Sequence, residues 1–95
     1  MSKGKIIKQG SYHSRLCGVG TLTLREDRIQ AYCPRIQELY EFMLTEITRF
    51  RMTKAGFYVD NFYFRVDNRT EWVNALKQAL EAIGIDYEAT GYRII

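Results

Sequence analysis

The alternation of apolar and polar residues is clearest from Phe57 to Val66 and predicts a β-hairpin there. Asp60 and Asn61 tolerate the positive φ that a two-residue turn demands. Folding at that point sets Val59 opposite Phe62 and Phe57 opposite Phe64. A period of two then places Phe57, Val59, Phe62, Phe64 and Val66 on one face and Tyr58, Tyr63 and Arg65 on the other. A slip of one residue would mix the two sets. The period changes at once to that of a helix. Trp72, Leu76, Ala79, Leu80 and Ile83 form an apolar stripe. Asn68 is the expected N-cap, with Asp67 competing, and Glu71 three residues on gives a capping-box pattern. Gly84 is the expected C′ residue. Trp72 is the largest apolar side chain of the stripe, so the helix is expected to plug a sheet.

The earlier part of the chain alternates in shorter runs. Ser11–Cys17 is compatible with a strand, punctuated by Gly18 and Gly20. Thr21–Arg25 and Arg28–Cys33 flank a Glu26-Asp27 turn, which sets Leu24 against Ile29 and Leu22 against Ala31. Arg25 and Arg28 then project outward together near the hairpin tip. Pro34 ends that strand because it has no N–H for a ladder. Residues 35–38 read as a loop. Tyr40, Phe42 and Leu44 alternate as another inward face, and a strand from Ile47 to Met52 needs a bulge to fit its spacing. No helical period occurs before Asn68. Residues 1–10, with three lysines, are expected to be partly disordered apart from the Ile6-Ile7 pair. In the tail beyond Gly84, Tyr92–Ile95 is expected to add a strand, on its own sheet edge or on that of a second copy.

Six or seven short antiparallel strands followed by one helix imply an α+β domain, mainly β. The expected architecture is a bent sheet or partly open barrel closed by the C-terminal helix. Residues 1–95 make one domain, with 85–95 as an extension. An apolar share of 46% excludes a disordered chain, and no run approaches the roughly 18 apolar residues of a membrane span. The first ten residues have no apolar leader segment. Two cysteines without a leader read as free thiols in a reducing compartment, hence a cytoplasmic location. The net charge of +3 comes from the first third: residues 1–35 carry seven basic and two acidic groups.

Candidate chemistry is sparse. Gly18-x-Gly20 lacks the third glycine and the following helix of a phosphate loop. His13, Cys17 and Cys33 fall short of the four closely spaced ligands of a structural zinc site. His13 and Cys17 are four residues apart on a strand, about 13 Å, too far for a nucleophile–base pair. The carboxylates form no pair suited to acid–base work. No catalytic residue, metal site or cofactor is therefore expected.

This layout resembles the pleckstrin-homology-like superfamily, in particular its bacterial and GRAM-type members. Gly18-Val19-Gly20-Thr21-Leu22-Thr23-Leu24 with Arg28-Ile29-Gln30-Ala31-Tyr32 looks like that family's second and third strands. Leu44-Thr45-Glu46-Ile47 looks like the step before its fifth. Glu71-Trp72-Val73-Asn74-Ala75-Leu76 looks like its C-terminal helix, with Trp72 at the signature tryptophan. The resemblance spans about residues 11–84, judged on pattern. It implies a seven-stranded bent sheet and a non-catalytic binding role. The paired basic residues of lipid-binding members are absent.

Two candidate surfaces follow. Lys8, Arg15, Arg25 and Arg28 form a basic patch for anionic lipid or phosphate. Tyr58, Tyr63, Arg65 and Tyr92 form an interaction surface, since exposed tyrosines favour interfaces. The leading expectation is contact with a protein partner or with a second copy. Peripheral binding of an anionic membrane comes second. Nucleic acid comes third, because exposed aromatics beside arginines can stack on single strands.

Overall fold

The computed structural model describes residues 4–47 and 50–84, together with the backbone of residues 93–94. Seven strands run β1 (Ile6–Ser14), β2 (Gly18–Arg25), β3 (Arg28–Cys33), β4 (Glu38–Met43), β5 (Phe50–Met52), β6 (Gly56–Val59) and β7 (Phe62–Arg65). One helix, α1 (Arg69–Ala82), follows. The sheet is antiparallel and open, in the order β4-β3-β2-β1-β7-β6-β5. A two-residue strand, β8 (Arg93–Ile94), adds parallel to β5 at its free edge, with Arg51 opposite Arg93. The expected tail strand thus pairs within its own chain, while Tyr92 lies outside the described residues.

The two predicted hairpins have their expected registers. Leu24 pairs with Ile29 and Leu22 with Ala31; Val59 pairs with Phe62 and Phe57 with Phe64. Asp60 adopts a φ of 53°, as the tight turn requires. The first strand differs. It begins at Ile6 rather than Ser11, and it ends at Ser14, so Cys17 belongs to a turn. The lysine-containing start is ordered from Ile6 because it pairs along β2 from Arg25 back to Gly18, with an irregularity between Ile6 and Lys8. The strand expected over Ile47–Met52 is confined to Phe50–Met52, and residues 48–49, where the bulge was expected, lie outside the described residues.

Gly20 has a packing role that its reading as punctuation missed. It sits inside β2 opposite Tyr12, and a Cβ there would collide with the Tyr12 ring and the Tyr32 carbonyl. The bare backbone lets the Tyr12 ring lie flat in the core. That ring meets Phe64 edge-on at 5.1 Å, and its hydroxyl donates to the Tyr32 carbonyl at 2.9 Å. Burial, with a smaller effect of Tyr40, pushes the Tyr12 hydroxyl pKa up.

The helix buries Trp72, Leu76, Ala79 and Leu80 in the core, while Ile83, just past its last turn, is exposed rather than part of the buried stripe. Asn68 stands at the N-cap without a side-chain capping hydrogen bond, so the capping box does not form; Glu71 reaches Lys8 instead. Gly84 takes a φ of 84° just past the helix. Phe62 shares the inward face of its hairpin but sits at the open end. It is 40% exposed, against Tyr40 and Phe42.

The cysteines correct the expectation of free thiols. Cys17 and Cys33 are joined in a disulfide, with Cα atoms 4.9 Å apart. The turn after β1 folds back far enough to bring Cys17 over the end of β3, which strand spacing alone does not show. Alkylation of the unfolded protein is expected to label two thiols only after prior reduction; labelling without reductant would contradict the pairing. The second expectation concerns Trp72, which is almost fully buried. Trp72→Ala should cost about 3–5 kcal/mol, measured by denaturant unfolding.

Candidate functional site

Strand alternation and cross-strand register sort the basic side chains into two groups with different surroundings. The first group was expected to be a single patch, and it does not assemble. Lys8 lies in the strand row that faces the helix: its Nζ is 5.2 Å from the Trp72 ring centroid and 3.4 Å from a Glu71 carboxylate oxygen. Arg25 donates from Nε to the Gln30 side-chain oxygen at 2.7 Å and from Nη1 to the Gly4 carbonyl at 3.0 Å. Arg28 donates to both carboxylate oxygens of Asp27 at 3.1 and 2.9 Å, and to Glu41 at 3.2 Å. Gln30 donates to the same Glu41 oxygen at 2.6 Å. Each of these three cations already has hydrogen-bond or ion-pair partners within the fold. Arg15 is at the far end of β1, roughly 20 Å of strand from Lys8.

Arg15 instead joins the other predicted surface. Arg51, Tyr58 and Tyr63 are direct cross-strand neighbours on β5, β6 and β7. They face outward, because Phe50, Met52, Phe57, Val59 and Phe64 face the core. The Arg51 guanidinium lies 4.3 Å from the Tyr58 ring centroid, and the Tyr58 and Tyr63 centroids are 4.8 Å apart. The Arg51 Nε is enclosed and has no hydrogen-bond partner among the described residues, so the Tyr58 ring face is its main polar compensation. A second row runs beside the first. Arg65 pairs with His13 across the β7–β1 junction, and His13 pairs with Val19 on β2. Arg15, in the turn just after β1, borders the same cleft as Tyr63. His13, Ser14, Arg15, Tyr63 and Arg65 border one open cleft of about 360 Å³.

Two features of this cleft decide its chemistry. No ion pair engages Arg15 or Arg65 among the described residues, in contrast to Lys8 and Arg28. One ring side of Tyr63 meets Tyr58, and the ring also borders the cleft. Unneutralised guanidinium groups beside an aromatic ring suit a ligand with negative charge and a flat or apolar part. Around the corner, Leu16 (58% exposed) and Phe62 border a smaller crevice of about 180 Å³ that opens towards Tyr12 and Tyr40.

The turn carrying Arg15 and Leu16 is fastened at several points. The disulfide holds Cys17, the Ser14 hydroxyl oxygen accepts the Cys17 N–H at 2.9 Å, and Arg35 donates to the Arg15 carbonyl at 3.3 Å. Among the described residues no group of three or more His, Cys, Asp or Glu could hold a metal ion. His13 was considered in the sequence only as a ligand or base. Its place beside Arg65 depends on β1 pairing with β7, a contact between strands far apart in the chain.

Comparison with protein-family models, with curated proteins and with solved structures finds no match for this chain.

The Asp27–Arg28 pair gives a testable electrostatic expectation. Hydrogen bonds from the Arg28 guanidinium hold the Asp27 carboxyl below its usual range, and the same contacts raise Arg28. A carboxyl pKa depressed in the folded state stabilises the fold above its unfolded value of about 3.9. That contribution fades as pH falls through the folded value. Asp27→Asn is therefore expected to lower the melting temperature at neutral pH and to leave it unchanged in strong acid. Parallel melts of the two proteins across pH check this.

Proposed function

We propose that this chain is a non-catalytic binding module of pleckstrin-homology-like type, whose outward basic and aromatic rows receive an anionic partner. The sheet of seven antiparallel strands followed by one helix supports the comparison with that superfamily. The observation that carries the binding role is the cleft between Arg15 and Arg65, two guanidinium groups with no ion pair among the described residues, beside the Tyr63 ring. The alternative basic patch is the weaker one, because Lys8, Arg25 and Arg28 are already engaged. Peripheral binding to an anionic membrane loses support with it, since isolated cations contribute only about 1 kcal/mol each at such a surface.

A second reading is contact with another protein at the open end of the sheet. It rests on the exposed Leu16 and Phe62 beside the small crevice. Such a pair would bury well in an interface.

Immobilised heparin, a polyanion without aromatic bases, tests the leading reading. The native protein is expected to elute at higher salt than Arg15→Glu/Arg65→Glu, and Arg25→Glu/Arg28→Glu is expected to shift elution less. The opposite ranking, with both variants shown to be folded by Trp72 fluorescence, would remove the cleft from consideration.

A further inference from the structure

We propose that the anionic partner of these rows is single-stranded nucleic acid, with phosphates on Arg15 and Arg65 and a base stacked against Tyr63. This inference rests on the anion-binding reading above and names its ligand.

The first argument is the composition of the rows. Arg51, Tyr58 and Tyr63 run across β5, β6 and β7 as cation, ring, ring; Arg15, from the turn after β1, borders the cleft with Tyr63, and Arg65 and His13 lie alongside. At about 4.8 Å between strands, the row of three is roughly 10 Å long. None of these positions is a carboxylate. A positively charged track with aromatic rings set into it is the arrangement that binds single strands without reading their sequence.

The second argument is the state of each ring. Arg51 covers Tyr58 and Tyr58 covers one side of Tyr63, so the row is closed at its β5 end. Tyr63 is the ring that borders the cleft, in company with Arg15, Arg65 and His13. The base is therefore expected at the end where the unengaged cations are. The cleft volume of about 360 Å³ suits one base with its phosphate and falls within the usual range of small-ligand sites.

The third argument is position in the sheet. The cleft lies over the β1–β7 junction, in the middle of the strand order. β1 is hydrogen-bonded to strands on both sides, as is β7. A peptide that binds by adding a strand needs a free backbone edge, which this place does not offer. Recognition here runs through side-chain faces, which favours flat, charged groups over an extended acidic peptide. Among the described residues the walls of the cleft, His13, Ser14, Arg15, Tyr63 and Arg65, also include no aliphatic side chain to hold an acyl tail.

Fluorescence anisotropy with a labelled oligothymidylate of about 12 nucleotides, within the span of known single-strand sites, tests this. The matched probe is an abasic strand of equal length, which keeps the phosphates and lacks the bases. The thymidylate is expected to bind more tightly than the abasic strand. Tyr63→Leu is expected to weaken thymidylate binding roughly 5- to 150-fold, while Tyr63→Phe stays close to the native protein. Two phosphate contacts predict a log–log salt slope near −1.4, reduced by about 0.7 on Arg65→Ala. Equal affinity for the abasic strand would overturn the proposal. So would displacement of the oligonucleotide by polyglutamate at equal charge, or tighter binding to phosphatidylserine vesicles. The abasic comparison uses the native protein, so it decides the matter even if Tyr63→Leu fails to fold. Heparin retention that depends on Arg15 and Arg65, with no preference for bases, would leave the anion-binding reading standing and reject nucleic acid. Loss of both would reject the two together.

Discussion

The fold depends on one aromatic side chain having somewhere to go. Trp72 is nearly inaccessible to solvent, and two separate parts of the chain, β1 and β6, meet on it. Gly10 on β1 lies against the ring, where a Cβ would come into van der Waals contact with it at 3.4 Å. Phe57 from β6 lies at 6.4 Å, and Lys8 covers the ring at 5.2 Å. Burying such a ring supplies a few kcal/mol, a large share of the net stability of a small domain. β1 is also the strand that joins the early hairpin to the late one, because it stands between β2 and β7. The contact of Trp72 with β1 and β6 therefore fixes how the two hairpins are held around the helix.

That arrangement then sorts the cations. Lys8 falls in the row that faces the helix and is used there, between Trp72 and Glu71. Arg25 and Arg28 fall on the outer face of the early hairpin, where Asp27, Gln30 and Glu41 stand within hydrogen-bond reach. Thr23 and Gln30 are buried although they point away from the core, so this part of the outer face is covered by its own polar network. Arg15 and Arg65 fall over the β1–β7 junction, where the neighbouring side chains are His13, Ser14 and Tyr63. The cations thus differ in what the fold places beside them: Glu71 of the helix by Lys8, Gln30 and the Gly4 carbonyl by Arg25, Asp27 and Glu41 by Arg28, and no ion pair by Arg15 or Arg65 among the described residues. The first three are thereby satisfied within the fold, by charge-assisted hydrogen bonds.

Much of the architecture was legible in the sequence because it rests on local rules. Asp60-Asn61 and Glu26-Asp27 fix the two hairpin registers, since a turn and a period of two leave no freedom about which residues face each other. The switch to a helical period after Asn68 fixes the helix, its buried stripe and its end at Gly84. The pairing of Tyr58 with Tyr63 follows from the same turn. Local rules also explain the failures. The start of β1 is not legible because Ile6-Ile7-Lys8-Gln9-Gly10 carries no alternation, and only pairing with β2 makes it a strand. Gly20 was taken for a break because nothing near it in sequence shows that the Tyr12 ring must pass over it.

The sequence by itself determined which residues share a face of each hairpin and helix, since those relations depend on neighbours a few positions apart. Only the tertiary structure decided which faces meet. It joined Cys17 to Cys33, parted Lys8 from Arg15, and brought Arg15 and His13 beside Tyr63 and Arg65 across some fifty positions of chain. Those outcomes turn on β1 lying between β2 and β7. That placement is set by burying Trp72 and the inward rings of several strands in one shared core, and no local pattern encodes it.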